Sequence, residues 1–345
     1  MLNNNIDKSN MYQSIYDFSN HIEKSFKWFN DNTVLNTNKN KIKSIMFLGM
    51  GGSAITGLLI KELFKNHISI PIHVNQGYDI PKWIDKNTLI LACSYSGNTE
   101  ETLASCINSL KKTSNIVGLS KGGELYKLFD KKQISNFVKM PSGLQPRAAL
   151  GYSISLVLLL LNKLKIVDNS FIDDLKNSIK PIRKLTDIYS TTNNNLAYTT
   201  SKKIHDKNPV IYGQEGIFNI IGYRFKCQLV ENAKILAFNN EIPEMNHNEI
   251  EAYTNDVNTN NNFIVIWIKD DSYNKRNLKR ISIVSDIWKS KIKKQLYIQI
   301  ESSSNNILKY LSYIHLLDWV SYHCAILNNI DPSIIPNINK LKKSL

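Results

Sequence analysis

Short apolar segments alternate with segments of helical length along this chain, and this alternation constrains the fold more than any other feature of the sequence. In the first half, strands are predicted at 44–48, 70–74, 89–93 and 116–119. Helices are predicted between them at 54–64 and 100–110. Apolar strands that are joined by helices form parallel sheets with helices on both faces. The predicted fold class is therefore α/β.

The alternation stops near 162–187, where Lys, Asn and Asp are frequent, and then resumes. We predict that this stretch is a linker between two halves. The second half has predicted strands at 210–212, 263–268 and 296–300 and predicted helices at 217–230, 279–288 and 306–327. A length of 345 residues also suits two domains of about 150 residues each. We therefore predict two doubly wound parallel-sheet domains in tandem, 1–165 and 166–345, preceded by one amphipathic helix that starts the first domain.

The net charge of +14 raises the question of nucleic acid as a partner. The Lys residues are spread through the chain among many Asn and Ile, so the sequence shows no basic stripe, and nucleic-acid binding is disfavoured. No membrane partner is predicted, because the longest apolar run, near 155–161, is far shorter than the ~18–20 residues of a membrane span. The N-terminus lacks the features of a signal peptide, and we predict a cytoplasmic protein.

The four cysteines show neither CxxC spacing nor the spacing of a zinc site, so they are predicted to be reduced thiols. No HxxxH pair or carboxylate–histidine cluster indicates a metal. We predict no metal and no cofactor.

A glycine-rich turn, Gly49-Met50-Gly51-Gly52-Ser53-Ala54, follows the first strand and opens a helix. Its spacing fits GxGxxA, in which backbone N–H groups approach an anion at a helix N-terminus. A dinucleotide site also requires an acidic residue at the end of the second strand, and that strand ends in Val74-Asn75-Gln76. The dinucleotide interpretation is therefore disfavoured, and a tight turn without a ligand remains the simple alternative.

Three hydroxyl residues surround a glycine in Ser94-Tyr95-Ser96-Gly97-Asn98-Thr99, again between a strand and a helix. Their hydroxyls and the adjacent backbone amides form a concave set of donors that suits a phosphate group. The alternative is an N-capping box, because Ser or Thr followed by Glu also caps helices. A cap needs one hydroxyl, so three hydroxyls with a glycine favour a phosphate site.

Together, these two loops resemble those of a sugar isomerase (SIS) domain. Further motifs are Gln145-Pro146-Arg147-Ala148-Ala149, Gly222-Tyr223-Arg224-Phe225-Lys226, Glu231-Asn232-Ala233-Lys234 and Pro243-Glu244-Met245-Asn246-His247-Asn248. In this order they resemble the bifunctional phosphoglucose/phosphomannose isomerase family, from about residue 45 to the C-terminus. The resemblance implies two SIS domains, the first with the phosphate-binding loops and the second with the acid–base residues.

The resemblance also implies a role for individual residues. The positions that match the family's phosphate-binding residues are Gly52, Ser53, Ser94, Ser96 and Thr99. Arg147 matches the arginine beside the reacting carbons, and Glu231 matches the general base. His247 matches the ring-opening histidine, which the neighbouring subunit of a homodimer supplies in this family. Lys342 matches a C-terminal lysine that assists ring opening, although Lys340 and Lys343 are close alternatives.

The activity implied by the resemblance is the metal-independent interconversion of glucose 6-phosphate, and of mannose 6-phosphate, with fructose 6-phosphate. These two aldoses differ only at C2, and an enediol intermediate erases that difference. Two other interpretations stay open. One is another phosphosugar isomerase, such as an enzyme of the glucosamine 6-phosphate type. The other is an SIS-type regulator that senses sugar phosphates, in which Glu231 and His247 would have no catalytic task.

Overall fold

The computed structural model describes residues 5–35, 42–253 and 260–344. The chain divides into two compact units. The first unit is Asp17–Ile179, and the second consists of Met1–Tyr16 and Lys180–Leu345. The boundary between them falls inside the helix Asn169–Tyr189. The domain limits 1–165 and 166–345 stay a prediction.

The elements up to residue 189 follow the alternation of the sequence. In chain order they are α1 Met11–Tyr16, α2 Phe18–Asn32, β1 Thr33–Val34, β2 Ser44–Leu48, α3 Gly51–Phe64, β3 Ile72–Asn75, β4 Thr88–Cys93, α4 Glu100–Leu110, β5 Ile116–Ser120, α5 Gly123–Lys131, β6 Phe137–Lys139, the 3₁₀ turn Pro146–Ala148, α6 Leu150–Lys163 and α7 Asn169–Tyr189. The strands of the first unit form a sheet in the order β1-β6-β5-β4-β2-β3. It is parallel except for the antiparallel pair of β1 and β6.

The topology of the first sheet places a crevice at one edge. From β2 the chain moves to β3 on one side and then crosses back to β4 on the other side of β2. The loops after β2 and β4 therefore diverge, and open α/β sheets bind their ligands at such a point. The strands β4 and β5 are buried along their whole length, and Met46, Ile90 and Phe129 belong to the core beside them. Continuous burial explains why these strands read as unbroken apolar runs.

The second unit contains α8 Leu196–Ile204, β7 Asn208–Gln214, α9 Ile217–Gln228, β8 Phe238–Ile242, β9 Phe263–Ile268, α10 Lys275–Trp288, β10 Gln295–Ile298, α11 Asn306–Leu327 and α12 Pro336–Ser344, together with α1. Its sheet is parallel, in the order β10-β9-β7-β8. The helix α11 is buried along most of its length. Trp267, Trp288 and Tyr212 stack in the core with ring centroids 5.1–5.7 Å apart. Each such buried side chain contributes roughly 1.5–3 kcal/mol through the area removed from water.

Two sequence-based predictions about helices are wrong. The single helix predicted near the N-terminus is two helices, α1 and α2, separated at Asp17. The backbone of Asp17 departs from helical geometry, with φ −77° and ψ 9°, and the carboxylate of Asp7 accepts the N–H groups of Met11 and Tyr12 at the start of α1. The polar stretch 162–187, predicted as a linker, contains most of the helix α7.

Three buried histidines make stability depend on pH. Burial lowers the pKa of His21 to about 4 and the pKa of His315 to about 3, and it also lowers the pKa of His323. In the unfolded chain, histidine has a pKa of about 6.5. Between about pH 6.5 and about pH 4 the unfolded state binds more protons than the folded state. The free energy of unfolding should therefore fall as the pH falls. The loss is up to about 1.4 kcal/mol per pH unit for each histidine.

Urea unfolding at pH 7.5, 6.5 and 5.5 checks this prediction. The variant His315→Gln is the control, because glutamine preserves a partner for the Thr186 hydroxyl, which lies 2.8 Å from His315 Nε2, and has no proton to gain. We expect a shallower decline with falling pH for His315→Gln than for the parent chain. An equal slope in both proteins would show that His315 does not contribute.

Candidate functional site

Three segments of the first unit converge at the crevice, and glycines allow them to approach one another. A Cβ on Gly49 would lie 3.1 Å from the carbonyl oxygen of Cys93, at the end of β4. A Cβ on Gly52 would lie 3.2 Å from the carbonyl oxygen of Pro146 and 3.6 Å from Cα of Arg147. The turn after β2 therefore packs against both the end of β4 and the 3₁₀ turn Pro146–Ala148. The structure thus brings Gly52 close to the backbone of Arg147.

Two helix N-termini point into this crevice. The helix α3 begins at Gly51, within the glycine-rich turn, and α4 begins directly after the hydroxyl loop 94–99. Their N-cap residues, Met50 and Thr99, make no side-chain capping hydrogen bond. Helix N-termini present unsatisfied N–H groups and a partial positive charge, which together attract anions. The alternative of an N-capping box at Thr99 is therefore wrong.

The hydroxyl loop forms a short chain of hydrogen bonds. The N–H of Gly97 donates to Ser94 Oγ at 3.1 Å, and Ser94 Oγ lies 2.9 Å from Thr99 Oγ1. The N–H of Asn98 donates to Ser96 Oγ at 3.2 Å. Because Ser94 Oγ already accepts a backbone N–H, its hydroxyl can donate a hydrogen bond to Thr99 Oγ1, and the Thr99 hydroxyl can then donate to an anion. Such chains polarise each member and strengthen the terminal donor.

Tyr95 ties the hydroxyl loop to the segment that carries Arg147, and sequence analysis missed this role. Its hydroxyl accepts the N–H of Leu144 at 3.1 Å, and its carbonyl oxygen accepts the N–H of Lys121 at 3.1 Å. The ring is buried, with 4% of the residue exposed. Arg147 is equally buried, and a guanidinium is always charged in proteins. The crevice therefore combines hydroxyls, helix N-termini and a buried cation, all of which suit a phosphate or a developing oxyanion.

Glu231 of the second unit lies in a single π-helical turn, Leu229–Ala233, which continues α9. π-Helical turns are rare in proteins, and many of those that occur are found at functional sites. The next residue, Asn232, is fully buried and donates from Nδ2 to Ser321 Oγ of α11 at 2.9 Å. Glu231 itself is half-buried. The turn thus anchors one side chain in the core and presents the neighbouring carboxylate towards the surface.

A buried polar cluster holds α9 on α11. Arg224 Nη2 donates to Asp318 Oδ2 at 2.7 Å, and Gln228 Nε2 donates to Asp318 Oδ1 at 2.9 Å. Burial raises the pKa of Asp318, and the guanidinium of Arg224 opposes that rise. Removing one partner of such a pair leaves an uncompensated buried charge. The Gly222-Tyr223-Arg224-Phe225-Lys226 motif therefore has a structural task, which is to fix the helix that leads to Glu231.

His247 and Glu231 lie on different segments of the second unit. His247 is exposed, in the 3₁₀ turn Glu244–His247 after β8. Asn219, in the first turn of α9, donates to Glu241 Oε2 at the end of β8 at 2.6 Å, so this end of the strand lies beside the start of the helix. Glu231 lies twelve residues beyond Asn219, or about 18 Å along a helix. The end of β8 that precedes His247 and the turn of Glu231 therefore lie at opposite ends of α9.

The C-terminal lysines lie on α12, and all three of Lys340, Lys342 and Lys343 are exposed. The segment before this helix reaches the turn of Glu231, because Lys234 Nζ donates both to the carbonyl oxygen of Glu231, at 2.5 Å, and to that of Ile334, at 2.7 Å. The choice of Lys342 over its two neighbours stays a prediction.

Comparison with known proteins agrees with this geometry. The family described as the bacterial phospho-glucose isomerase C-terminal SIS domain matches residues 193–345. A protein of Caldicellulosiruptor bescii named bifunctional phosphoglucose/phosphomannose isomerase is 34% identical over 97% of this chain and 98% of its own length. This chain belongs to the bifunctional phosphoglucose/phosphomannose isomerase family. The resemblance inferred from the motifs is thereby confirmed.

Other relatives bear the same family name or a related one. A member of this family from Thermoplasma volcanium is 33% identical over 88% of this chain and 92% of its own length. A protein of Sulfolobus acidocaldarius named D-glucosamine-6-phosphate 4-epimerase is 30% identical over 66% of this chain and 69% of its own length.

Solved structures support the fold. The C-terminal domain of glucosamine-fructose-6-phosphate aminotransferase from Francisella tularensis superposes with a TM-score of 0.71 at 15% identity, over 94% of this chain and 98% of that one. The tagatose-6-phosphate ketose/aldose isomerase of Escherichia coli gives 0.66 at 12% identity, over 94% and 93%. At these identities the likeness shows the fold alone, and it confirms the predicted pair of SIS-type α/β domains.

At the switch point of the second sheet, between β7 and β9, the described residues form no comparable anion site. Side chains of the unit fill that place. The N–H of Gln214 donates to the Tyr273 hydroxyl at 3.0 Å, and Asn277 Nδ2 donates to Glu215 Oε2 at 3.0 Å. Buried Asp270 lies 3.5 Å from Lys309 Nζ. The carboxylates of Glu215 and Asp270 would repel a phosphate group there.

Across residues 5–35, 42–253 and 260–344, no group of three or more His, Cys, Asp or Glu side chains could hold a metal ion. Over the same ranges, none of the helices combines the length and the apolar character that crossing a bilayer requires.

Proposed function

We propose that this chain interconverts glucose 6-phosphate, and mannose 6-phosphate, with fructose 6-phosphate without a metal ion. The observation that carries the proposal is the crevice of the first unit, where two helix N-termini and three hydroxyls lie beside the turn of the buried Arg147. That combination suits a phosphorylated substrate with an anionic intermediate. The names of the relatives then supply the substrates.

The proposed mechanism is proton transfer through a cis-enediol. Ser53, Ser94, Ser96 and Thr99, with the backbone of Gly52, hold the phosphate group, so binding far from the reacting carbons orients the sugar. Glu231 removes the proton from C2 while the C1 carbonyl becomes the C1 oxygen of an enediolate, and Arg147 stabilises its negative charge. The same carboxyl returns the proton to C1 as the proton of the C2 hydroxyl passes to the C1 oxygen, so that C2 becomes the ketone and C1 carries the hydroxyl. C2 is planar in the intermediate, so both aldoses give the same species.

Ring opening requires a donor to the ring oxygen and an acceptor for the proton of the C1 hydroxyl, and we assign His247 and Lys342 to this step. We propose that His247 acts in the site of a second copy, in a cytoplasmic homodimer. The end of β8 that precedes His247 lies beside the first turn of α9, about twelve helical residues before Glu231, and this placement supports the assignment.

The test is an assay with purified protein in excess EDTA. Because EDTA chelates divalent cations, any turnover under these conditions does not require one. Glucose 6-phosphate and mannose 6-phosphate are supplied separately, and fructose 6-phosphate is measured. Product from both is expected, and product from neither would contradict the proposal. A third arm supplies D-glucosamine 6-phosphate and measures epimerisation at C4, because one relative bears that activity in its name. Turnover only in that arm would favour the epimerase instead.

A further inference from the structure

We propose that Lys234 is a positioning residue that fixes the turn bearing Glu231 to the segment leading into α12. The inference rests on the proposed function, because it concerns the placement of the proposed base and of the proposed ring-opening lysine. Lys234 lies outside the residues to which the family resemblance gave a role, and its contacts become visible only in the folded chain.

The backbone of Lys234 is in an unusual conformation for its residue type. Its φ is +57° and its ψ 28°, which is the left-handed region that residues other than glycine seldom adopt. It ends the π-helical turn, where the N–H of Ile235 donates to the carbonyl oxygen of Leu229 at 3.2 Å. Glycine would fit this position with less strain. Backbone geometry alone therefore does not favour a lysine here, so any advantage of lysine must come from a task of its side chain.

That task is visible in the two hydrogen bonds of the ammonium group. Lys234 Nζ donates to the carbonyl oxygen of Glu231, three residues back, and to that of Ile334, one hundred residues ahead. Hydrogen bonds from a charged donor are stronger than those between neutral groups. One side chain therefore joins the backbone of the proposed base to the chain just before α12, which begins at Pro336.

The terminal helix depends on such an anchor because it has little apolar burial of its own. Over its described length, Pro336–Ser344, α12 buries none of its side chains. Its apolar residues Ile338 and Leu341 are 37% and 60% exposed, and Ile334 before it is 51% exposed. A short helix without a buried face is marginal in water. Loss of the Lys234 bridge should therefore free both the Glu231 turn and the helix that carries Lys342.

The variant Lys234→Met tests this inference, because methionine keeps the length of the stem and removes the donors. We expect kcat to fall roughly 10- to 100-fold, the scale on which small misplacements of reacting groups lower rates. The KM should stay within about threefold, since the phosphate loops lie in the first unit and are unaltered. Hydrogen exchange of peptides covering 334–344 should become faster. Lys234→Arg retains charged donors and should recover most of the lost kcat.

Lys165→Met is the matched control. Lys165 is also an exposed lysine with a left-handed backbone, at φ +55°, and among the described residues no side-chain hydrogen bond of its ammonium is found. We expect its kcat, KM and exchange to equal those of the parent chain. Unchanged kcat and unchanged exchange in Lys234→Met would overturn the inference. If the parent chain lacks isomerase activity, the proposed function fails, and the exchange measurement still decides whether Lys234 holds the C-terminal segment.

Discussion

Replacing Glu231 with glutamine should lower kcat on glucose 6-phosphate by about a thousandfold, within the range that general acid–base groups contribute. Glutamine has nearly the same shape and cannot accept the C2 proton. The backbone of the π-helical turn should stay in place, because Asn232 is anchored to Ser321 and Lys234 binds the carbonyl oxygen of residue 231. Affinity for fructose 6-phosphate, measured by calorimetry, should change less than about threefold, since the variant removes a group that acts in the transition state.

Glu124→Gln is the control for this prediction. Glu124 is an exposed carboxylate whose visible partner is Lys127 on the same helix, at 2.8 Å, and such surface pairs contribute little. Its kcat should equal that of the parent chain. A loss smaller than about tenfold in Glu231→Gln would contradict the assignment of the base. Retained ligand binding by a parent chain without turnover would favour the sugar-phosphate regulator instead.

The variant Glu231→Gln also tests the assignment of His247 to a second copy. Glu231→Gln and His247→Asn are each inactive in isolation under the proposed mechanism. After mixing, unfolding and refolding together, heterodimers contain one site with both native residues if the histidine comes from the neighbouring chain. We then expect activity to return towards about one quarter of the parent value, as statistical pairing of a two-fold symmetric dimer requires. No recovery would place Glu231 and His247 in the same chain's site.

The success of the sequence-based fold prediction varied with burial. The strands at 44–48 and 263–268 were predicted with their limits, because they are almost fully buried and read as apolar runs. The helix at 306–327 was also predicted with its limits, and most of its residues are buried. The strand β8 was missed, since its central residues Asn239, Asn240 and Glu241 are polar and lie at the sheet edge. The helix α7 was mistaken for a linker on composition, although its buried residues Ile172, Leu175 and Ile182 recur at helical spacing.

The candidate site, too, could be predicted only in part. Loops whose function depends on local chemistry, such as the hydroxyl loop after β4, could be predicted from residue types and spacing. The supporting residues could not, because their partners are distant along the chain. Tyr95 binds the N–H of a residue 49 positions away, and Lys234 binds a carbonyl 100 positions away. Nothing in a single sequence specifies such pairs, so the positioning of Arg147 and Glu231 becomes apparent only from the fold.

Gly97→Ala should be the most destabilising substitution in the hydroxyl loop. Gly97 has φ +76°, and a Cβ there would lie 1.8 Å from the carbonyl oxygen of Gly122. That oxygen belongs to the backbone and cannot rotate away. The hydroxyl loop and the turn at Gly122 before α5 also interlock. Leu125 N–H donates to the carbonyl oxygen of Gly97, and Glu124 N–H donates to Asn98 Oδ1. We expect the free energy of unfolding to fall by about 3–5 kcal/mol, the sum of backbone strain and overpacking.

Gly143→Ala separates those two contributions. Gly143 also has positive φ, at +96°, yet a Cβ there would meet no atom within 4 Å. It should therefore cost only the conformational strain of about 1–2 kcal/mol. Urea unfolding followed by circular dichroism gives both free energies of unfolding. Calorimetry with inorganic phosphate measures whether the hydroxyl loop still binds an anion. If Gly97→Ala is too unstable to purify while Gly143→Ala is not, the clash is confirmed in its extreme form. Equal losses in the two variants would mean that the loops can separate, and that the close approach of 97 and 122 does not shape the anion site.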